Sequence, residues 1–171
     1  MDSDFLLVPR MRMGDEAAID VFVAKYYPKI LKYCQIHIAD RGYAEDMTQE
    51  TFVRFFRSLE QYQHYGKTAN YLYVIAGNVC RDYYRKTREI PLEQMPEKSI
   101  CSTPELDRQM DVWLALETLP DEIREAAVLF FVQERKQKDI AKILGIGLPL
   151  VKYRIRKARE LLSAYFGKED I

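Results

Sequence analysis

Apolar residues recur along this chain at three- and four-residue steps, and the strict alternation that a half-buried strand needs is scarce. That period predicts an all-α protein. The first strong stripe is Ile19, Phe22, Val23, Tyr26, Ile30 and Cys34, opened by Asp15 and Glu16 where a helix start favours acids. Pro28 lacks an amide donor and crowds the preceding turn, so a kink or a restart is expected there. Asp40, Arg41 and Gly42 read as a turn. A second helix is expected from Ala44 to about Leu59, with Ala44, Met47, Thr51, Phe52, Phe55 and Leu59 facing inward. A polar and aromatic loop, Tyr62 to Lys67, separates it from a third helix running from Thr68, a suitable N-cap, to about Arg88. Leu72, Ile75, Ala76 and Val79 form the buried side of that helix.

The period then lapses. Between Glu89 and Pro104 stand Pro91, Pro96 and Pro104 with scattered serines and glutamates, a composition suited to a linker. Helical spacing resumes near Leu106 with Met110, Trp113, Leu114 and Leu116. It restarts at Pro120, followed by Asp121 and Glu122 in a first turn and by Ile123, Ala127, Leu129, Phe130 and Phe131. The expected architecture is therefore two small helical domains, residues 1–88 and 107–171, joined by a flexible linker over 89–106.

The last domain ends in the most informative segment of the chain, Lys138 to Leu162. A short helix with Ile140, Ala141 and Leu144 on one side meets Gly145, which supplies the backbone that a tight inter-helix turn requires. Ile146 re-enters the core, and Val151 and Ile155 anchor a second helix against the first. Its other face carries Lys152, Arg154, Arg156, Lys157 and Arg159, with no acid between Gly147 and Arg159. A helix-turn-helix with a dense cationic face suits the major groove, where Lys and Arg neutralise phosphates and donate to guanine edges. A solvated surface helix is the bland alternative for such a cation run.

Composition narrows the function classes. With 48% hydrophobic and 30% charged residues the chain is that of a folded protein. Twenty-six basic and 26 acidic residues cancel, so attraction to nucleic acid must come from local segregation of charge. The N-terminus lacks a signal-peptide pattern and no apolar run could span a bilayer, so a cytoplasmic protein without membrane insertion is expected. Cys34, Cys80 and Cys101 form no paired motif, only His37 and His64 could join them, and reduced thiols rather than a metal site are expected. No phosphate-cradling glycine loop and no clustered acid, base or nucleophile is present, so neither a cofactor nor catalysis is expected.

Within the first domain, the third helix combines Asn70, Tyr71, Tyr73 and Asn78 with a basic end, and the loop before it adds Tyr62 and Tyr65. Aromatics interleaved with cations suit unpaired bases, which need a stacking surface and charge along the backbone. Tyrosines at helical spacing also serve as ordinary boundary residues. The second helix shows a mixed stripe of Asp46, Gln49, Glu50, Val53 and Arg57, which is either a solvated face or a seat for a partner helix.

These segments resemble a known family. AEDMTQETFVRFF, Ala44 to Phe56, closely resembles the polymerase-docking signature of bacterial sigma factors of the extracytoplasmic-function (ECF) type. NYLYVIAGNVCRDYYRK, Asn70 to Lys86, is similar to the helix that melts and reads the minus-ten element. The stretch from Leu116 to Leu162, opening LETLPDEIREAAVLFF and closing with the helix-turn-helix, looks like the family's minus-thirty-five-reading domain.

The resemblance implies a non-catalytic subunit that binds RNA polymerase core and directs it to promoter DNA, held in check by an anti-sigma factor that is often membrane-anchored. Carried over by position, it implies that Asp46, Gln49, Glu50, Val53 and Arg57 dock on the polymerase clamp. Asn78, with Asn70 and Tyr71 on the same helix, would pocket a base flipped from the non-template strand, and the loop holding Tyr62, Tyr65 and Lys67 would close over it. Arg81, Arg85 and Lys86 would hold the upstream backbone. Lys152, Tyr153, Arg156 and Lys157 would face the minus-thirty-five major groove, with Arg154 and Arg159 near phosphates. Tyr71 stands where the family usually has Trp, Gly77 where Arg is common, and Pro149-Leu150 where Gly-Thr is usual. A stand-alone helix-turn-helix regulator is the alternative, and it predicts a homodimer that binds promoters without polymerase.

Overall fold

The computed structural model describes residues 4–63, 67–88 and 104–167, all helix and connecting turns. The chain forms two compact units, Met1–Lys98 and Ser99–Ile171. The expected linker, apart from its last residues, lies outside the described residues, as do His64, Tyr65 and Cys101. Helix resumes at Pro104, two residues before the expected end of the linker.

The first unit contains α1 (Asp4–Arg12), α2 (Glu16–His37), α3 (Arg41–Arg57) and α4 (Thr68–Arg88). Asp15 caps α2 by accepting from the Ala18 amide, and Arg10 pairs with the same carboxylate at 2.7 Å. Arg10 holds the Asp15 carboxyl below the usual carboxylate range. Of the kink or restart expected at Pro28, the restart does not occur, since α2 runs through it from Glu16 to His37. Packing on α1, α3 and α4 compensates for one lost backbone bond, and Tyr26 and Ile30 stay buried on either side of the proline. Asp40 is not the start of a free turn but the N-cap of α3, accepting from the Tyr43 amide at 2.9 Å. The inward face of α3 is Ala44, Thr48, Thr51, Phe52 and Phe55, so Thr48 takes the place expected for Met47. Thr48 and Thr51 satisfy their buried hydroxyls on the Ala44 and Met47 carbonyls.

Phe22 is the centre of this core, stacked on Phe55 at 4.8 Å and edge-on to Phe52. Cys34 and Cys80 meet as buried thiols, not joined in a disulfide, with their sulfurs 4.0 Å apart.

The second unit contains α5 (Pro104–Glu117), α6 (Asp121–Ala127), α7 (Gln137–Leu144) and α8 (Leu148–Phe166). Arg124 closes the α5–α6 corner by donating to the carbonyls of Leu116, Glu117 and Leu119, each at 2.9 Å. A wide turn, Val128–Val132, ends α6. The core of this unit is aliphatic: Val128, Leu129, Ile140, Val151 and Ile155 are all buried. Phe131 and Leu114, which fall on the apolar spacing, are exposed.

Candidate nucleic-acid and polymerase interfaces

In the second unit the turn forms as its sequence requires. Gly145 is left-handed (φ 65°, ψ 33°) and its amide donates to the Ala141 carbonyl, closing α7. Pro149 sits in the first turn of α8, where no amide donor is missed. Val151, Ile155 and Ala158 bury one stripe of α8. Opposite it, Lys152, Tyr153, Arg156 and Arg159 are exposed and Lys157 is half-buried. Arg156 lies over the Tyr153 ring at 5.7 Å, and Arg159 lies over Phe131 at the same distance. Lys157 pairs with Glu160 at 3.3 Å. Arg154 departs from the expectation of a phosphate contact. Its side chain is 13% exposed and pairs with Glu122 at 3.0 Å, so it braces α8 against α6.

In the first unit, Tyr71, Asn78, Arg81 and Arg85 follow one another at helical spacing on α4. Asn78 and Arg81 are exposed, and the Arg81 guanidinium donates to Asn78 Oδ1 at 2.6 Å. That bond orients the amide and leaves its N–H donors for an incoming group. Arg85 pairs with Asp82 at 3.2 Å, while Lys86 and Lys67 are exposed.

Three expected platform residues lie inside instead. Tyr73 packs against Tyr33, Asn70 is 9% exposed, and the Tyr62 ring is buried in a stack on Tyr71 at 4.9 Å. The reason is that α4 lies against α2 and α3, so Tyr73, on its inward side, completes the core. Tyr71 stays half-exposed, with its hydroxyl donating to Ser58 Oγ at 3.0 Å. Gly77 is explained by the same approach: a Cβ there would stand 3.3 Å from the buried Tyr33 hydroxyl.

On α3, Asp46, Gln49, Val53 and Arg57 are exposed along one face and Glu50 is half-buried. Glu50 accepts from Arg54 at 2.8 Å, and Arg54 also pairs with Asp82 on α4 at 3.0 Å. Arg54 holds the Asp82 carboxyl below the usual carboxylate range, helped by the charges of Arg85 and Lys86. Sequence spacing could have shown the Glu50–Arg54 pair; the Arg54–Asp82 contact is tertiary and had no local signal.

Comparison with known proteins settles the family. The Sigma-70 region 2 family matches residues 22–90, and the Sigma-70 region 4 family matches residues 109–162. The ECF RNA polymerase sigma factor SigE of Mycolicibacterium smegmatis is 32% identical over 92% of this chain and 66% of that relative. The chain belongs to the ECF sigma factors.

The sigma-E factor of Haemophilus influenzae is 27% identical over 94% of each chain, and SigW of Bacillus subtilis is 27% identical over 91% of this chain and 92% of SigW. Two solved structures share the fold at 23% identity. One is CnrH in complex with the cytosolic domain of CnrY, with TM-score 0.81 over 99% of this chain and all of that one. The other is RpoE of Bartonella quintana with the anti-sigma factor NepR, with TM-score 0.75 over 90% and 98%. Among the described residues no helix is long and apolar enough to cross a membrane, and no cluster could hold a metal ion.

Proposed function

We propose that this ECF sigma factor is a cytoplasmic, non-catalytic specificity subunit that binds RNA polymerase core, directs it to promoters and is restrained by an anti-sigma partner. The observation that carries this reading is that the two Sigma-70 regions fall one on each compact unit, in order. Asp46, Gln49, Glu50, Val53 and Arg57 on α3 seat the polymerase clamp. Tyr71 stacks on an unpaired base, Asn78 donates to its edge, and Arg81, Arg85, Lys86 and Lys67 follow the backbone. Tyr62 and Asn70 support that surface from behind. Lys152, Tyr153, Arg156, Lys157 and Arg159 on α8 read and neutralise duplex DNA. Each contact is weak alone, and core polymerase raises the effective concentration of one for the other. Two structural relatives are bound to CnrY and to the anti-sigma factor NepR, which supports a protein inhibitor of this chain as well.

Run-off transcription with purified core polymerase, on DNA from upstream of this protein's own gene, tests the proposal. A discrete transcript that depends on the chain is expected. Tight promoter binding by a homodimer without polymerase, or indifference to core enzyme, would overturn it.

A further inference from the structure

Helix α1 lies wholly before the segment that matches Sigma-70 region 2, which begins at residue 22. It is nevertheless firmly built in. Leu7, Val8 and Met11 are buried, and the Asp4 carboxylate is fully buried between the Lys25 ammonium, at 2.7 Å, and the Tyr26 hydroxyl. At the other end, Arg10 pairs with Asp15, the cap of α2. A rigid α1 carries Arg12 at its last turn.

Arg12 donates from Nε to the Leu59 carbonyl at 2.9 Å and from Nη2 to the Tyr62 carbonyl. Both acceptors lie just beyond α3, where the chain leaves the helix. The fork holds two backbone points three residues apart, which a single ammonium cannot match in geometry. Tyr62 then stacks on Tyr71 at 4.9 Å with its ring 20° from parallel, and its hydroxyl reaches Thr68 Oγ1. Tyr71 shares the α4 face that carries Asn78 two turns on.

We propose that Arg12 is a positioning residue for base capture: by fixing the chain after α3, it sets the Tyr62–Tyr71 stack on the α4 face that also carries Asn78. The inference rests on the strand-capture role proposed above and assigns a specificity function to a helix outside the matched region. Arg12 touches no DNA in this scheme. It acts on base selection through the angle at which Tyr71 is presented.

The test uses the full chain bound to core polymerase and a library of fork-junction DNAs whose unpaired non-template stretch is randomised. Wild type, Arg12→Gln and Arg12→Lys are compared for the enrichment ratio of favoured over disfavoured bases. Arg12→Gln is expected to flatten that ratio by about tenfold, the scale of losing hydrogen bonds from a charged donor. Arg12→Lys, which keeps the charge but not the fork, is expected to fall between the two. Binding to core and to the intact upstream duplex should be unchanged in both. A ratio equal to wild type in both variants overturns the inference, as does a uniform loss on every DNA including the duplex, which marks simple destabilisation. Should Arg12→Gln not fold, the Arg12→Lys ratio decides by the same criterion. If wild type itself shows no base preference, the strand-capture role falls and this inference with it; if wild type selects and the variants select alike, only the role of Arg12 falls.

Discussion

The two units present their proposed recognition surfaces in opposite ways. In the first, an aromatic core around Phe22 extends outward through Phe55 and Tyr62 to Tyr71, and Arg54 and Arg85 are tied to acids on α3 and α4. In the second, the core is small and aliphatic, and Lys152, Arg156 and Arg159 stand exposed on α8. A shaped, partly neutralised surface suits a stacked base, whose recognition depends on geometry. An exposed cationic face suits duplex phosphates, whose recognition depends on charge.

The largest break in that comparison comes from the cores. Phe22→Ala should cost about 3–5 kcal/mol and Ile155→Ala about 2–5 kcal/mol. Trp113, the single tryptophan, lies in the second unit, so its fluorescence reports that unit alone. Denaturation followed by Trp113 emission should shift for Ile155→Ala and stay in place for Phe22→Ala, whereas helical circular dichroism should lose an early fraction in both. Coincident shifts in both probes would mean that the units unfold as one.

The recognition surfaces give a smaller but sharper contrast. Arg156→Ala should weaken promoter binding by about 1–3 kcal/mol and, where it meets a phosphate, lower the salt slope by about 1. Tyr71→Ala should weaken capture of unpaired DNA by about 1–3 kcal/mol with the salt slope unchanged. Binding isotherms of the holoenzyme across a salt series separate the two, and a matching salt response would erase the distinction.

The smallest effect concerns Asp82. Its carboxyl is held below the usual carboxylate range by Arg54, so the folded state takes up its proton later than the unfolded chain as pH falls. The contribution is present at neutral pH and is lost below about pH 4, as pH drops through the folded value. Thermal unfolding from pH 7 to pH 3 should therefore fall less steeply at the acid end for Asp82→Asn than for wild type. Parallel curves would show that the Arg54–Asp82 pair adds nothing.

Much of the architecture was legible along the chain. The spacing of Phe22, Tyr26, Ile30 and Cys34, of Leu72, Ile75, Ala76 and Val79, and of Val151 and Ile155 marked buried stripes that the fold buries. Gly145 announced its left-handed turn because few other residues adopt that backbone without strain. Pro28 starts no new helix because its cost is local and its compensation is not. Asp40 was read as a turn residue when it is an N-cap, since both uses draw on the same short carboxylate side chain.

By itself, then, the sequence determined the helices after α1, the turn at Gly145 and the run of cations on α8, because each depends on neighbours within a turn or two of chain. Only the tertiary structure decided which polar and aromatic residues face outward. Tyr62 and Tyr71 have the same chemistry, yet one is covered and the other half-exposed; Arg154 and Arg156 lie two residues apart, yet one meets Glu122 and the other meets solvent. Arg12 reaches Tyr62 across 50 residues of sequence, a contact that exists only once α1 has packed on α2. Period predicts which side of a helix is apolar, but the helix packed beside it determines what the remaining side can touch.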